Sequence, residues 1–176
     1  EQVSAGGTGH IEAVKAVYDS SKVSYEQLLQ VFWRHVDPTD GGGQFVDRGS
    51  QYRSAIFYSS DQERNLAEAS KQRLAASGRF GQPIATEILP LGEFYLAEDY
   101  HQDYYKKNPL RYRYYRHASG RDQFLEKAWA GDHSEMKPTS KGETRSYMKD
   151  EMKTSALSSA PPAANTGGKM IPGMKS

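Results

Sequence analysis

QYRSAIFYSSD, residues 51–61, is the stretch on which the fold turns. Tyr52–Tyr58 is a short run rich in aromatic and branched side chains, the composition of a strand in a half-buried sheet. Ser59, Ser60 and Asp61 follow at once, and residues of this type cap a helix by accepting from its first free N–H groups. The helix so opened is predicted to run to about Ser77, with Gly78 supplying the left-handed stop. A third strand is predicted at Ile84–Leu89, ended by Pro90. A strand passing straight into a helix and then into another strand predicts alternating α and β elements.

The same alternation extends upstream. His10–Tyr18 carries Ile11, Ala13, Val14 and Val17, which predicts a buried strand. Ser24, with Gln27 three residues on, forms a capping-box pattern. Tyr25, Leu28, Leu29, Phe32, Trp33 and Val36 then make an apolar stripe at helical spacing. Asp37-Pro38 ends it, because the residue before proline is pushed out of the helical region. The glycine-rich stretch 38–51 is predicted to be an irregular loop, and long loops in compact domains tend to carry function. Helices are expected at Ala97–Lys107 and Gly120–Ala130. The expected fold class is therefore α+β, a two-layer α/β sandwich spanning about residues 1–131.

Composition excludes several functions. The 176 residues carry 23 Lys+Arg against 22 Asp+Glu, a net charge of +1, which is a poor match for a polyanion binder. No run approaches the roughly 20 apolar residues of a membrane span. Without any cysteine, the chain offers no disulfide, thiolate metal site or cysteine nucleophile. All five methionines lie after residue 135, in a segment of small polar residues punctuated by Pro and Gly. Such a segment buries too little apolar area to offset its ordering entropy, so residues 132–176 are expected to be a disordered, Met-containing polar tail.

Four motifs carry candidate chemistry. In TGHIE, residues 8–12, Glu12 sits in an otherwise apolar strand and is either edge-exposed or shifted toward its neutral acid. DRGSQYR, residues 47–53, sets the Asp47 carboxylate and the Tyr52 phenol at the end of a Gly-rich loop, where both can line one pocket. AEDYHQDYY, residues 97–105, offers His101 with Glu98, too few ligands for a zinc site, and is better explained as a charged helix face. KKNPLRYRYYRH, residues 106–117, interleaves arginines and tyrosines as single-strand nucleic-acid binders do. A packed connecting segment explains it better.

Taken in order, GTGHIEAVKAVYD, VSYEQLLQVFWRHVDPTD, DRGSQYRSAIFY, IATEILP and FYLAEDYHQDYYKKNP resemble the A-type peptide methionine sulfoxide reductases across about residues 1–109. LRYRYYRHASGRDQFLEKAW, which follows, looks like that family's extended C-terminal variant. The resemblance implies thiol-dependent reduction of methionine S-sulfoxide, free or in proteins, a repair reaction of oxidative stress. It implies a ferredoxin-like core. Glu12 would protonate the sulfoxide oxygen, and Asp47 and Tyr52 would orient substrate or water. His10, Gln51 and Arg53 would be scaffold. The family's nucleophile lies in a Gly-Cys-Phe-Trp motif at a helix start, which this sequence does not contain. Because Glu1 matches a position well inside the family pattern, the expectation is an N-terminally truncated, inactive domain missing its first strand and nucleophile helix, with one strand position vacant.

The resemblance implies no bound cofactor and no metal, and an external thiol reductant, either a thioredoxin-like protein or a small thiol. Many members carry a resolving cysteine shortly after the Lys-Asn-Pro match, whereas here Pro109 leads into LRYRYY. The expected partners are methionine sulfoxide and the reductant, with no nucleic acid and no membrane. A monomer is expected, cytoplasmic, with an exported form left open. Two alternatives stand beside the enzyme: a catalytically dead methionine-binding module and a single-stranded nucleic-acid binder. For the tail, recycling of its methionines as oxidant traps competes with a plain linker, and the linker is favoured.

Overall fold

In chain order the computed structural model has β1 (His10–Val14), α1 (Tyr25–Trp33), β2 (Gly43–Gln44), β3 (Asp47–Arg48), a 3₁₀ turn (Ser50–Tyr52), β4 (Ala55–Tyr58) and α2 (Asp61–Ala76). It continues with β5 (Glu87–Pro90), β6 (Phe94–Leu96), α3 (Tyr104–Lys107), α4 (Pro109–Ala118), α5 (Arg121–Ala128) and β7 (Ser155–Ser159). It describes Val3, residues 7–132 and residues 155–159.

The helical half follows the sequence pattern closely. Ser24 Oγ accepts from the Gln27 N–H at 3.2 Å, while Gln27 Oε1 accepts from the Ser24 N–H at 2.8 Å, closing the capping box. Leu29 and Trp33 from α1 meet Ile56 of β4 and Ala67 and Leu74 of α2 in the core. Trp33 is only 3% exposed, and its indole N–H is satisfied by the Ser70 hydroxyl at 2.9 Å. That bond matters because an unpaired buried donor costs about 1–3 kcal/mol. β4 and β5 pair in parallel, from Ala55↔Glu87 to Tyr58↔Pro90, with α2 as the connection that a parallel pair requires. Gly78 ends this helix with φ +65°, as expected of a left-handed stop.

The C-terminal helices are tied back to this core. The guanidiniums of Arg34 and Arg79 lie 4.5 and 4.2 Å from the Trp129 ring centroid, and both reach Asp132, at 3.2 and 2.8 Å. Phe124 of α5 packs edge-on to Phe45 at 5.6 Å.

The other half departs from expectation. β1 stops at Val14, and Val14 and Val17 are 64% and 83% exposed, so the predicted buried strand to Tyr18 is shorter than read. Ile11 alone is fully covered there; hydrophobic character without a packing partner does not extend a strand. The predicted helix Ala97–Lys107 is instead an irregular turn that follows β6 and then the single turn α3. Asp103 takes a left-handed φ of 53°, which an α-helix cannot contain, and its carboxylate pairs with Lys106 at 3.3 Å. Residues 106–117, expected as a packed connecting segment, are the end of α3 and most of α4, which is opened by Pro109 at its first position.

β7 occupies the middle of a three-stranded sheet in the order β1-β7-β6, antiparallel to both neighbours. This strand lies within the tail, residues 132–176, expected to be mostly disordered. Ladder hydrogen bonds on two sides supply an ordering energy that no side-chain pattern in Ser155–Ser159 announces. The rest of the predicted tail, with its methionines, lies outside the described residues.

Candidate active site

The loop 38–51 is not irregular but folds into a tight hairpin that presents Asp47. Its base is set by Gln44, 9% exposed, whose side-chain amide donates to the Asp37 carbonyl at 2.8 Å and accepts from the Asp37 N–H at 2.9 Å. This two-way clamp satisfies the backbone where α1 has ended. β2 and β3 pair as Gly43↔Arg48 and Gln44↔Asp47 around a turn at Phe45-Val46. Phe45 carries a left-handed φ of 57°, a conformation costing on the order of 1–3 kcal/mol for a residue with a Cβ. Its ring is held by Phe124 and by the Arg121 guanidinium, 4.5 Å from the centroid. At Gly43 a Cβ would lie 2.2 Å from the Asp47 carbonyl oxygen, so only glycine permits the strands to close. Arg48 grips Asp40 with both terminal nitrogens, and the hydrogen bond depresses the Asp40 carboxyl below its usual range.

The hairpin runs directly into the 3₁₀ turn that carries Tyr52. The Gly49 N–H donates to the Gly42 carbonyl at 3.0 Å, and the Tyr52 N–H donates to the Gly49 carbonyl at 3.0 Å. Arg53 then braces the turn from below, donating to the Ser50 carbonyl at 2.8 Å and to Glu87 at 2.8 Å. Ser54 and Thr86 share a buried hydroxyl pair at 3.0 Å. Gln51 is buried, and His10 holds its own strand entry through Thr8, with its ring 5.6 Å from that of Tyr95. These contacts hold the entry of β1 and the Tyr52 turn in place.

One participant is invisible in the sequence. The Tyr115 hydroxyl, from α4, donates to Asp47 Oδ1 in a short hydrogen bond. Burial first, and then this bond to a carboxylate, push the Tyr115 phenol up to about 12, so it stays a donor at neutral pH. Asp47, Arg121 and Tyr52 are all close enough to act on Tyr115 through space. Arg121 donates to the His35 carbonyl at 2.9 Å, and burial lowers its guanidinium from its ordinary value. The pair Asp47–Tyr115 spans 68 positions of sequence, and no local pattern links a loop aspartate to a helix tyrosine. The only available signal was the aromatic density of residues 112–115.

Glu12 comes to the site on β1. The backbone of β1 packs against the 3₁₀ turn, which brings the Glu12 strand and the Tyr52 turn together. The Glu12 side chain is exposed, while its neighbour Ile11 is 2% exposed. Asp47, Tyr52 and Tyr115 therefore form one polar cluster, and Glu12 stands on the strand beside it. His101 and Glu98 lie in the irregular turn before α3, and no group of three or more His, Cys, Asp or Glu among the described residues is placed to hold a metal. No helix among them is long and apolar enough to cross a membrane.

Comparison with known proteins bears on what such a cluster does. The family model described as "Peptide methionine sulfoxide reductase" matches residues 1–133. A peptide methionine sulfoxide reductase MsrA of Bacillus licheniformis is 54% identical over 135 residues, covering 77% of this chain and 75% of its own. The protein of the same name from Bacillus subtilis is 55% identical over 129 residues, covering 73% of each. Among solved structures, Mxr1 from Saccharomyces cerevisiae in reduced form superposes with a TM-score of 0.50 at 38% identity, covering 53% of this chain and 50% of that one.

Proposed function

The chain belongs to the peptide methionine sulfoxide reductase family, and from that membership we propose that Glu12, Asp47 and Tyr52 form the acid and pocket of a site for methionine S-sulfoxide, free or in proteins. The observation that carries this reading is the packing of β1 beside the Tyr52 turn, with Asp47 held in the same neighbourhood by Tyr115. The sulfoxide S–O bond is polarised toward oxygen, and it breaks only if that oxygen leaves with a proton. Glu12 supplies the proton. Asp47 and Tyr52 orient the substrate or an ordered water by hydrogen bonds.

A thiolate completes the chemistry. It attacks the sulfoxide sulfur, methionine is released, and the oxygen remains on the attacking sulfur as a sulfenic acid. No residue of this chain is a cysteine, so the thiolate comes from outside these 176 residues. The sulfenic acid is then reduced by a further thiol, thioredoxin-like or small. For the fold we propose a ferredoxin-like two-layer core, a reading supported by α1 packed against α2 and by α2 packed against β4 and β5.

Calorimetric titration with N-acetylmethionine S-sulfoxide and R-sulfoxide tests the site without requiring turnover. The S epimer is expected to bind at least about tenfold tighter. Glu12→Ala should weaken S-epimer binding about tenfold, the worth of one hydrogen bond at ~1–1.5 kcal/mol, while Glu12→Gln, still a donor, retains most of it. Equal affinity for the two epimers, or unchanged binding in Glu12→Ala, would overturn the assignment.

A further inference from the structure

Helices α4 and α5 grip from outside the hairpin that presents Asp47. The Arg121 guanidinium lies 4.5 Å from the Phe45 ring centroid, and Phe124 packs edge-on to the same ring at 5.6 Å. Arg121 also donates to the His35 carbonyl at 2.9 Å. The two helices are tied to each other by Arg116, which donates to Asp122 at 2.6 Å. These contacts seat the helix pair without touching a group assigned to the chemistry. One contact does touch such a group: the Tyr115 hydroxyl donates to Asp47 Oδ1. Consecutive side chains on a helix point about 100° apart, so Tyr115 meets the hairpin while Tyr114, one position before it, is 77% exposed.

Asp47 stands on the two-residue strand β3 and is half-buried. Its carboxylate turns about two single bonds, and a hydrogen bond from outside the strand selects one orientation. An ionised carboxylate only accepts, so its partner must donate. The Tyr115 phenol suits that task, since burial and the Asp47 bond push it up to about 12 and it keeps its proton at neutral pH. The bond engages Oδ1 and fixes the plane in which Oδ2 accepts from a donor on a ligand or an ordered water. A side chain immobilised before binding loses no rotamer freedom on binding, an advantage of about three- to tenfold in affinity. We propose that Tyr115 is a positioning residue of the sulfoxide site, acting on the bound methionine S-sulfoxide only through Asp47. Helix α4 is then part of the site and not an appendage to it. This role rests on the reading above, in which Asp47 orients substrate or water.

Calorimetric titration of the full chain with N-acetylmethionine S-sulfoxide, run as a double-mutant cycle, tests the role. Asp47→Ala should weaken binding about tenfold. Tyr115→Phe should weaken it about three- to tenfold in the unaltered background, and by less than about twofold where Asp47 is already alanine. Tyr114→Phe, on the solvent side of the same helix, should leave binding unchanged. Equal loss from Tyr115→Phe in both backgrounds, no loss from it in the unaltered chain, or an equal loss from Tyr114→Phe overturns the role while leaving Asp47 in the site. Unchanged binding in Asp47→Ala, or no binding by the unaltered chain, overturns the reading of the site and the role with it. Three-bond couplings from the Asp47 Cγ to its own amide nitrogen and carbonyl carbon test the positioning without ligand. They should report one χ1 rotamer in the unaltered chain and an average over rotamers in Tyr115→Phe. One rotamer retained in Tyr115→Phe overturns the role, and so does averaging already present in the unaltered chain, which requires no variant to fold.

Discussion

The α1–α2–β4–β5 half and the β1–β7–β6 half are held by different forces. In the first, Trp33, Leu29, Ile56, Ala67 and Leu74 interlock, and the buried polar groups Ser70, Ser54 and Thr86 have partners. In the second, among the described side chains of β1 and β6 only Ile11 is fully covered, while Val14, Tyr95 and Leu96 are 64%, 45% and 71% exposed. Its order rests on a backbone ladder to a segment of serine, alanine and leucine. Packed side chains specify one arrangement, because a small change of volume is felt throughout a close-packed core. A ladder alone specifies a geometry but not an occupant. The candidate site lies where the two halves meet, with Asp47 and Tyr52 anchored to the packed half and Glu12 carried by the laddered one.

The contrast is sharpest under substitution. Trp33→Ala should cost about 3–5 kcal/mol in denaturant unfolding, from the cavity together with the orphaned Ser70 hydroxyl. Gln44→Ala should cost about 1–3 kcal/mol, because both backbone groups of Asp37 lose their partner, and it should loosen the hairpin that holds Asp47. Tyr115→Phe should cost less than about 1 kcal/mol at pH 7, since the ring is 46% exposed. Its signature is spectroscopic: one tyrosine that ionises near pH 12 disappears from the absorbance titration. The sign follows from the raised value. The stabilisation from the protonated Tyr115 is complete below about pH 10, the unfolded value, and is lost as pH climbs through about 12. Leu96→Ala should change stability by under about 0.5 kcal/mol, because little is covered there. A Leu96 effect as large as that of Trp33 would erase the distinction between the halves.

Legibility in the sequence followed the same division. The capping box at Ser24, the Ser60 cap and the Gly78 stop are local chemistry, written in adjacent residues and realised as such. Glu12, Asp47 and Tyr52 were singled out by motif, and the polar surroundings of Asp47 and Tyr52 are in the structure. Tyr115 was missed because its partner is remote in sequence, and the hairpin in residues 38–51 was missed because Phe45 takes a conformation that favours glycine. The helix expected at Ala97–Lys107 failed at Asp103 for a related reason, a left-handed backbone that periodicity does not report. The strand at Ser155–Ser159 was illegible because neighbours, not its own residues, make it a strand.

Backbone ¹⁵N–¹H correlation spectra recorded during titration with N-acetylmethionine S-sulfoxide test the placement of the site most directly. Shifts are expected at Glu12, Asp47 and Tyr52, spreading to Tyr115, with much smaller changes when the R epimer is added. Equal shifts for both epimers, or shifts confined to residues away from the junction of β1 with the Tyr52 turn, would contradict it.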